Sequence, residues 1–202
     1  MGSLEDSEEL FPIEYGVPTI AFAYDDPLSY SGVIKAVILD DLELLQELVS
    51  QGKSARIVDN HGNTPLHIAA YRATNLELIK YLLSLEEVDI NARNHYGHTP
   101  LLLSVLKSKE TSAYILIKTG ADVNIASNED ITPLHHSVRF STKLSEALIL
   151  AGAIIDQIDY DKDTALHDTI VFGNMETLCM LLYYGADTSI KIQLVSHLSC
   201  KA

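Results

Sequence analysis

Basic residues are scarce in this chain: 14 Lys and Arg stand against 28 Asp and Glu, a net charge of −14 over 202 residues. Binding to a phosphate backbone depends on clustered cations, so the composition argues against a nucleic-acid ligand. An anionic membrane surface is disfavoured on the same ground. Cysteine is scarcer still. Cys179 and Cys200 make no disulfide framework and point to a reducing compartment, cytosol or nucleus. No apolar run approaches the roughly 18–20 residues that span a bilayer. The start, Met1-Gly2-Ser3-Leu4-Glu5-Asp6, lacks the basic and apolar regions of a signal peptide, and Asp6 stands where a myristoylation pattern has Ser or Thr. Missing too are a P-loop, a G-x-G-x-x-G turn, a G-x-S-x-G elbow and an H-E-x-x-H helix. Catalysis is therefore not expected, and neither is a cofactor or a metal.

What is present is an ordinary globular mix, 47% apolar and 21% charged. The acidity is uneven. Residues 1–27 hold Glu5, Asp6, Glu8, Glu9, Glu14, Asp25 and Asp26 and no Lys or Arg, so half of the net charge lies there. The same segment carries Pro12, Pro18 and Pro27, which oppose helix, and the apolar run Ile20-Ala21-Phe22-Ala23-Tyr24. Residues 1–28 are expected to form an acidic N-terminal segment, 1–10 disordered and 11–28 folded back as a cap.

The rest of the chain repeats. Thr64-Pro65-Leu66-His67 recurs as Thr99-Pro100-Leu101-Leu102, Thr132-Pro133-Leu134-His135 and Thr164-Ala165-Leu166-His167, at spacings of 35, 33 and 32 residues. In step with it run Gly120-Ala121-Asp122, Gly152-Ala153-Ile154 and Gly185-Ala186-Asp187, with Gly52 at the same place in the first unit. Each copy reads as a helical hairpin. Thr is an N-cap and Pro the first helical residue. A short helix is followed by a longer amphipathic one, with apolar positions such as Leu76, Ile79, Leu82 and Leu83 on one face, or Met175, Leu178, Leu181 and Leu182. A Gly supplies the left-handed C-cap. Between units lie polar turns, Asp59-Asn60-His61-Gly62-Asn63 and Asn94-His95-Tyr96-Gly97-His98. Asp130 and Lys162 replace the turn glycine in units four and five, so those turns are expected to differ in shape.

Period, T-P-L-H phrase and G-A-D phrase together resemble the ankyrin repeat family. The resemblance covers residues 29–190 and implies an all-α solenoid of stacked helix-turn-helix units with short β-hairpin turns between them. Five repeats are expected, at about 29–58, 59–93, 94–126, 127–158 and 159–190, followed by an irregular tail, 191–202. No C-terminal ligase-recruiting box is recognisable, and the 202 residues leave no room for an appended catalytic domain.

The resemblance also assigns roles. The T-P-L-H histidines His67, His135 and His167 are expected to tie neighbouring loops rather than to form a site. Metal binding by His61, His95 and His98 is disfavoured, since no Cys accompanies them and adjacent hairpins stand about 10 Å apart. Cys179 is expected to be a partly buried structural thiol. The variable positions of hairpin turns and first-helix ends would line a concave partner-binding face. They are Asn60, His61, Asn63, Tyr71 and Arg72 in unit two, and His95, Tyr96, His98, Leu106 and Lys107 in unit three. Unit four offers Asn128, Glu129, Ile131, Arg139 and Phe140, and unit five Tyr160, Asp161, Asp163, Val171 and Phe172. Aromatics and Arg dominate interface hot spots. A non-catalytic adaptor or inhibitor is the expected function, including masking like that of NF-κB inhibitors, with a protein partner that has a basic surface. The alternative is a substrate-recognition subunit of a ubiquitin ligase or other modifying complex, shortened from a longer protein. Asn91 and Asn124, with Leu83 and Leu116 eight residues before them, resemble the ankyrin consensus for asparaginyl hydroxylation.

Overall fold

The computed structural model describes residues 32–72 and 75–190. The expected N-terminal cap and the C-terminal tail therefore lie outside the described residues. The described chain forms helix pairs: α1 (Gly32–Ile38) with α2 (Leu42–Ser50), α3 (Pro65–Arg72) with α4 (Leu76–Ser84), α5 (Pro100–Leu106) with α6 (Glu110–Lys118), α7 (Pro133–Ser137) with α8 (Thr142–Leu150), and α9 (Ala165–Val171) with α10 (Met175–Tyr183). First helices stack in the order α1, α3, α5, α7, α9, and second helices α4, α6, α8 and α10 stack alongside them.

Helices this short are unstable alone, so their ends and their packing hold them. Thr99 accepts the Leu102 amide at 3.1 Å and leaves Pro100, which has no N–H, in the first turn. In units two, four and five the histidine joins the cap: the amides of Thr64, Thr132 and Thr164 donate to Nδ1 of His67, His135 and His167. The other imidazole nitrogen reaches the next loop, from His67 to the His98 carbonyl, His135 to that of Asp163 and His167 to that of Ile190. The histidines thus clamp loops together, as the resemblance implied.

Between the helix layers, Leu66, Ile68, Leu101, Leu102, Leu103 and Leu134 from first helices meet Leu45, Leu78, Ile79, Leu82 and Leu116 from second helices, all fully buried. Each such side chain contributes about 1.5–3 kcal/mol through burial. In α10 the expected apolar face is only partly covered: Leu181 is buried, but Met175 is 63% and Leu182 41% exposed, because no described element packs beyond this pair.

The inter-unit segments differ from the expected β-hairpins. Among the described residues they are turns, with one isolated bridge between Ile158 and Thr164. Each turn closes on two backbone bonds: Asp59 N to Asn63 O with Gly62 N to Asp59 O, Asn94 N to His98 O with Gly97 N to Asn94 O, Ser127 N to Ile131 O with Asp130 N to Ser127 O, and Asp159 N to Asp163 O with Lys162 N to Asp159 O. The first side chain of each turn accepts two amides of its own loop: Asp59 those of His61 and Asn63, Asn94 those of Tyr96 and His98, Ser127 those of Glu129 and Ile131, Asp159 those of Asp161 and Asp163. This cradle corrects the expectation about Asp130 and Lys162. Their φ values, 59° and 70°, match 76° at Gly62 and 77° at Gly97, so all four turns keep one shape. The cradle bonds impose the left-handed residue whether or not it is glycine.

Unit two lacks the glycine phrase. There the Glu87 carboxylate accepts the Ala55 amide at 2.7 Å and the Ser54 hydroxyl at 2.8 Å, joining units one and two. Those donors hold the Glu87 carboxyl below its usual range.

Candidate binding surface

The turns are laced into a ladder. The His95 amide donates to the His61 carbonyl, the Asn128 amide to that of Tyr96, and the Tyr160 amide to that of Glu129. Arg93 spans two units, with Nε donating to the Gly97 carbonyl and Nη2 to Ala126 O and Asn128 Oδ1. This ladder fixes the tips that carry variable side chains. Asn60, His95, Asn128, Tyr160 and Asp161 are exposed, and His61, Tyr96, Glu129 and Ile131 half-buried. The His61 and Tyr96 rings lie 6.3 Å apart, inclined by 27°.

Two expected contact residues are not on this surface. His98 is only 6% exposed, and Asn63 is fully buried. The reason is the turn geometry: in units two and three the last residue of the turn points inward under the next unit. Asn63 donates to Asp59 and accepts from Asn94 at 2.8 Å. His98 sits beside His67, its Nδ1 buried and without a partner. Burial lowers His98 to about 4, and the neighbouring His67 adds to the effect. Burial likewise lowers His67 to about 4, and His136, next to His98, His135 and Arg139, to about 3. A column of neutral imidazoles therefore runs through the stack.

The ends of the first helices carry the second group. Lys107 Nζ stands 5.2 Å above the Tyr71 ring, across the unit boundary. The Arg139 guanidinium lies 5.2 Å from the Phe140 ring of its own unit and 4.9 Å from the Phe172 ring across the boundary between units four and five. Such cation–π contacts hold long side chains flat against aromatic faces while leaving their N–H groups able to donate. Arg72, Arg139, Phe140 and Val171 are exposed, and Tyr71, Leu106, Lys107 and Phe172 half-buried. Arg72, Lys107 and Lys109 close one concavity with Tyr71. Lys109 is not among the residues that the repeat pattern assigned to this face. The signal for it was that it follows Lys107 in the same loop.

The opposite ends of the same helices are acidic in units four and five. Glu129 is held above its usual range by burial and by the Asp161 carboxylate. Burial, with Asp159 next, raises Asp163, whose Oδ1 is buried and unpaired. Asp168 on α9 rises to about 8, through burial and the charges of Asp159 and Asp163. These carboxylates repel one another, and among the described residues no cation pairs with them.

Asn91 and Asn124 lie on a third line, below the turns. Asn91 Oδ1 accepts the Asp122 amide, and Asn124 accepts from Ile154 and donates to Gly152. Asp156 repeats the pattern toward Asp187. Cys179 is exposed and free, not partly buried as expected, because the outer side of α10 is uncovered. Among the described residues no group of three or more His, Cys, Asp or Glu could hold a metal ion, and no helix is long and apolar enough to cross a membrane.

A family model described as ankyrin repeats (3 copies) matches residues 33–127 and 109–192. Among curated proteins, the B-cell lymphoma 3 protein homolog of Mus musculus is 29% identical over 160 residues, 77% of this chain and 36% of that protein. The nuclear factor NF-kappa-B p105 subunit of Gallus gallus is 29% identical over 161 residues, 77% of this chain and 16% of that protein. An L-asparaginase of Dirofilaria immitis is 30% identical over 148 residues, 73% of this chain and 25% of that protein. The chain thus spans about a third or less of the length of these relatives.

Proposed function

The chain belongs to the ankyrin-repeat family, and we propose that it is a non-catalytic protein-interaction module acting as an adaptor or inhibitor. The partner lies across the turn tips and the first-helix ends of units two to five. The observation that carries this reading is the packing of Lys107 on Tyr71 across units two and three, and of Arg139 on Phe140 and, across units four and five, on Phe172, all at the ends of first helices. Rigid aromatics and guanidinium groups on one face are what interface hot spots are made of. The acidic turn tips, Glu129 and Asp161 foremost, supply the contacts for a basic surface of the partner. Binding of that surface relieves the repulsion from Asp161 that adds to burial in raising Glu129. Masking of a basic surface, in the manner of an NF-κB inhibitor, fits this arrangement. The free Cys179 fits a cytosolic or nuclear setting.

The test is affinity capture with identification by mass spectrometry, comparing the wild type with a variant carrying Tyr71→Ala, Arg72→Ala, Arg139→Ala and Phe140→Ala. Loss of a specific captured protein at unchanged thermal stability supports the reading. Full retention contradicts it. Ligase subunits among the captured proteins identify a substrate-recognition subunit instead. For Asn91 and Asn124 we propose hydroxylation at the side chain. A mass increase of one oxygen on either asparagine in protein isolated from its native cells is the expected result, and unmodified peptides remove the proposal.

A further inference from the structure

The proposed face has a half whose chemistry opposes the chain's overall charge. From the C-terminal ends of the first helices to the caps of the second, the sequences of units two to five read Tyr71-Arg72-Ala73-Thr74-Asn75, Leu106-Lys107-Ser108-Lys109, Val138-Arg139-Phe140-Ser141 and Val171-Phe172-Gly173-Asn174. They hold four cations and three aromatic residues but no carboxylate, in a protein with twice as many acids as bases. The first acid beyond them, Glu110, is already in α6. Among the described residues the ion pair found is Lys80 with Glu77, on α4, so none of the four cations is neutralised.

Cations at the C-terminal ends of helices gain from the helix dipole, which accounts locally for Arg72 and Lys107. It does not account for Lys109. Lys109 is the N-cap of α6 and makes no side-chain cap bond, whereas α2, α4, α8 and α10 are capped by Asp41, Asn75, Ser141 and Asn174, each accepting first-turn amides. A lysine there opposes the dipole and leaves amides of α6 without a side-chain acceptor. A local rule broken at one of five equivalent positions, beside two further cations in one concavity, marks that position as kept for something other than folding.

We infer that this edge receives an acidic, extended segment of the protein partner. Its carboxylates lie on Arg72, Lys107, Lys109 and Arg139, and its apolar side chains against Tyr71, Phe140 and Phe172. The inference rests on the reading above, that this face binds a protein. It adds that the partner meets the basic edge with acids while the acidic turn tips meet its bases, an opposition that fixes orientation as well as register. A long polyanion such as nucleic acid is repelled by the −14 of the whole chain, whereas a short acidic stretch places its charge only at the edge.

The test uses the full chain and a short fluorescein-labelled peptide of Asp and Glu with one central Phe, read by anisotropy at low and raised salt. The comparators are the same peptide with Asn and Gln, and a single-stranded oligonucleotide of equal charge. The expected result is binding of the acidic peptide at least about tenfold tighter than the neutral one, weakened by salt. Arg72→Gln with Lys109→Gln and Arg139→Gln should abolish it, while Lys80→Gln on α4 leaves it intact. In addition, Lys109→Asn should weaken binding while raising the thermal midpoint, a split that loss of fold cannot produce. Equal binding of acidic and neutral peptides, indifference to the three Gln substitutions, or preference for the oligonucleotide overturns the inference. If that happens while the four-alanine variant still loses its captured protein, the interaction surface stands and only the acidic partner chemistry falls.

Discussion

The Nε2 of His67 donates to the backbone carbonyl of His98, 2.9 Å away in the next unit, while Nδ1 of the same ring accepts the Thr64 amide. The Nδ1 bond requires a neutral imidazole, since a protonated Nδ1 accepts nothing, whereas the Nε2 donation survives protonation. Acid therefore breaks the cap at Thr64 and places a charge on a buried ring of the stack.

The pH dependence follows. Burial lowers His67 and His98 to about 4, against an ordinary value near 6.5; for His67 the charges of Asp59 and Asp89 oppose this only in part, and for His98 the neighbouring His67 reinforces it. Their contribution is complete above pH 6.5 and is lost as pH falls toward 4, because the unfolded chain binds protons first; each is worth up to about 3 kcal/mol. His136, lowered to about 3 by burial and by His98, His135 and Arg139, acts in the same direction. Asp168, raised to about 8 by burial and by Asp159 and Asp163, acts oppositely: the folded state keeps its proton, and stability falls as pH rises from about 4 to 8. The expected thermal midpoint is highest near pH 6.5, falling steeply on the acid side and gently on the alkaline side. Asp168→Asn should remove the alkaline slope and steepen the acid limb, because the Asp168 contribution runs from about pH 4 to 8. Unfolding by circular dichroism across pH 4–9 reads both.

The turns give a second prediction. Lys162 occupies the left-handed region, φ 70°, where a side chain costs about 1 kcal/mol. Lys162→Gly should stabilise by about that amount, and Gly62→Ala should destabilise by more. At Gly62 an added Cβ would sit 2.6 Å from Cδ2 of His95, so strain is joined by a clash. Denaturant midpoints at constant m-value check both.

Lys109→Asn gives a third. It supplies the missing cap of α6 and should stabilise the fold by about 1 kcal/mol. A loss of stability would mean that Lys109 has a structural role not visible in its contacts.

Much of this architecture was legible in the sequence because repetition marks it. The Thr-Pro pairs placed the first helices, and the histidines declared their clamping role through the family pattern. The shape of the turns at Asp130 and Lys162 was not legible from the glycine position, because side-chain cradles at Ser127 and Asp159, earlier in each loop, impose it. Burial of His98 and Asn63 was hidden for a related reason: neighbours in a five-residue turn face opposite ways, and only the fold says which. Lys109 was not legible as part of the face, because only the fold sets it beside Arg72 and Lys107.

The most direct test of the central claim is the affinity of the captured partner for the wild type and for the variant with Tyr71→Ala, Arg72→Ala, Arg139→Ala and Phe140→Ala, compared where both unfold at the same temperature. An interaction surface centred on these residues predicts a loss of about a hundredfold or more. Equal affinity in the two proteins would contradict it.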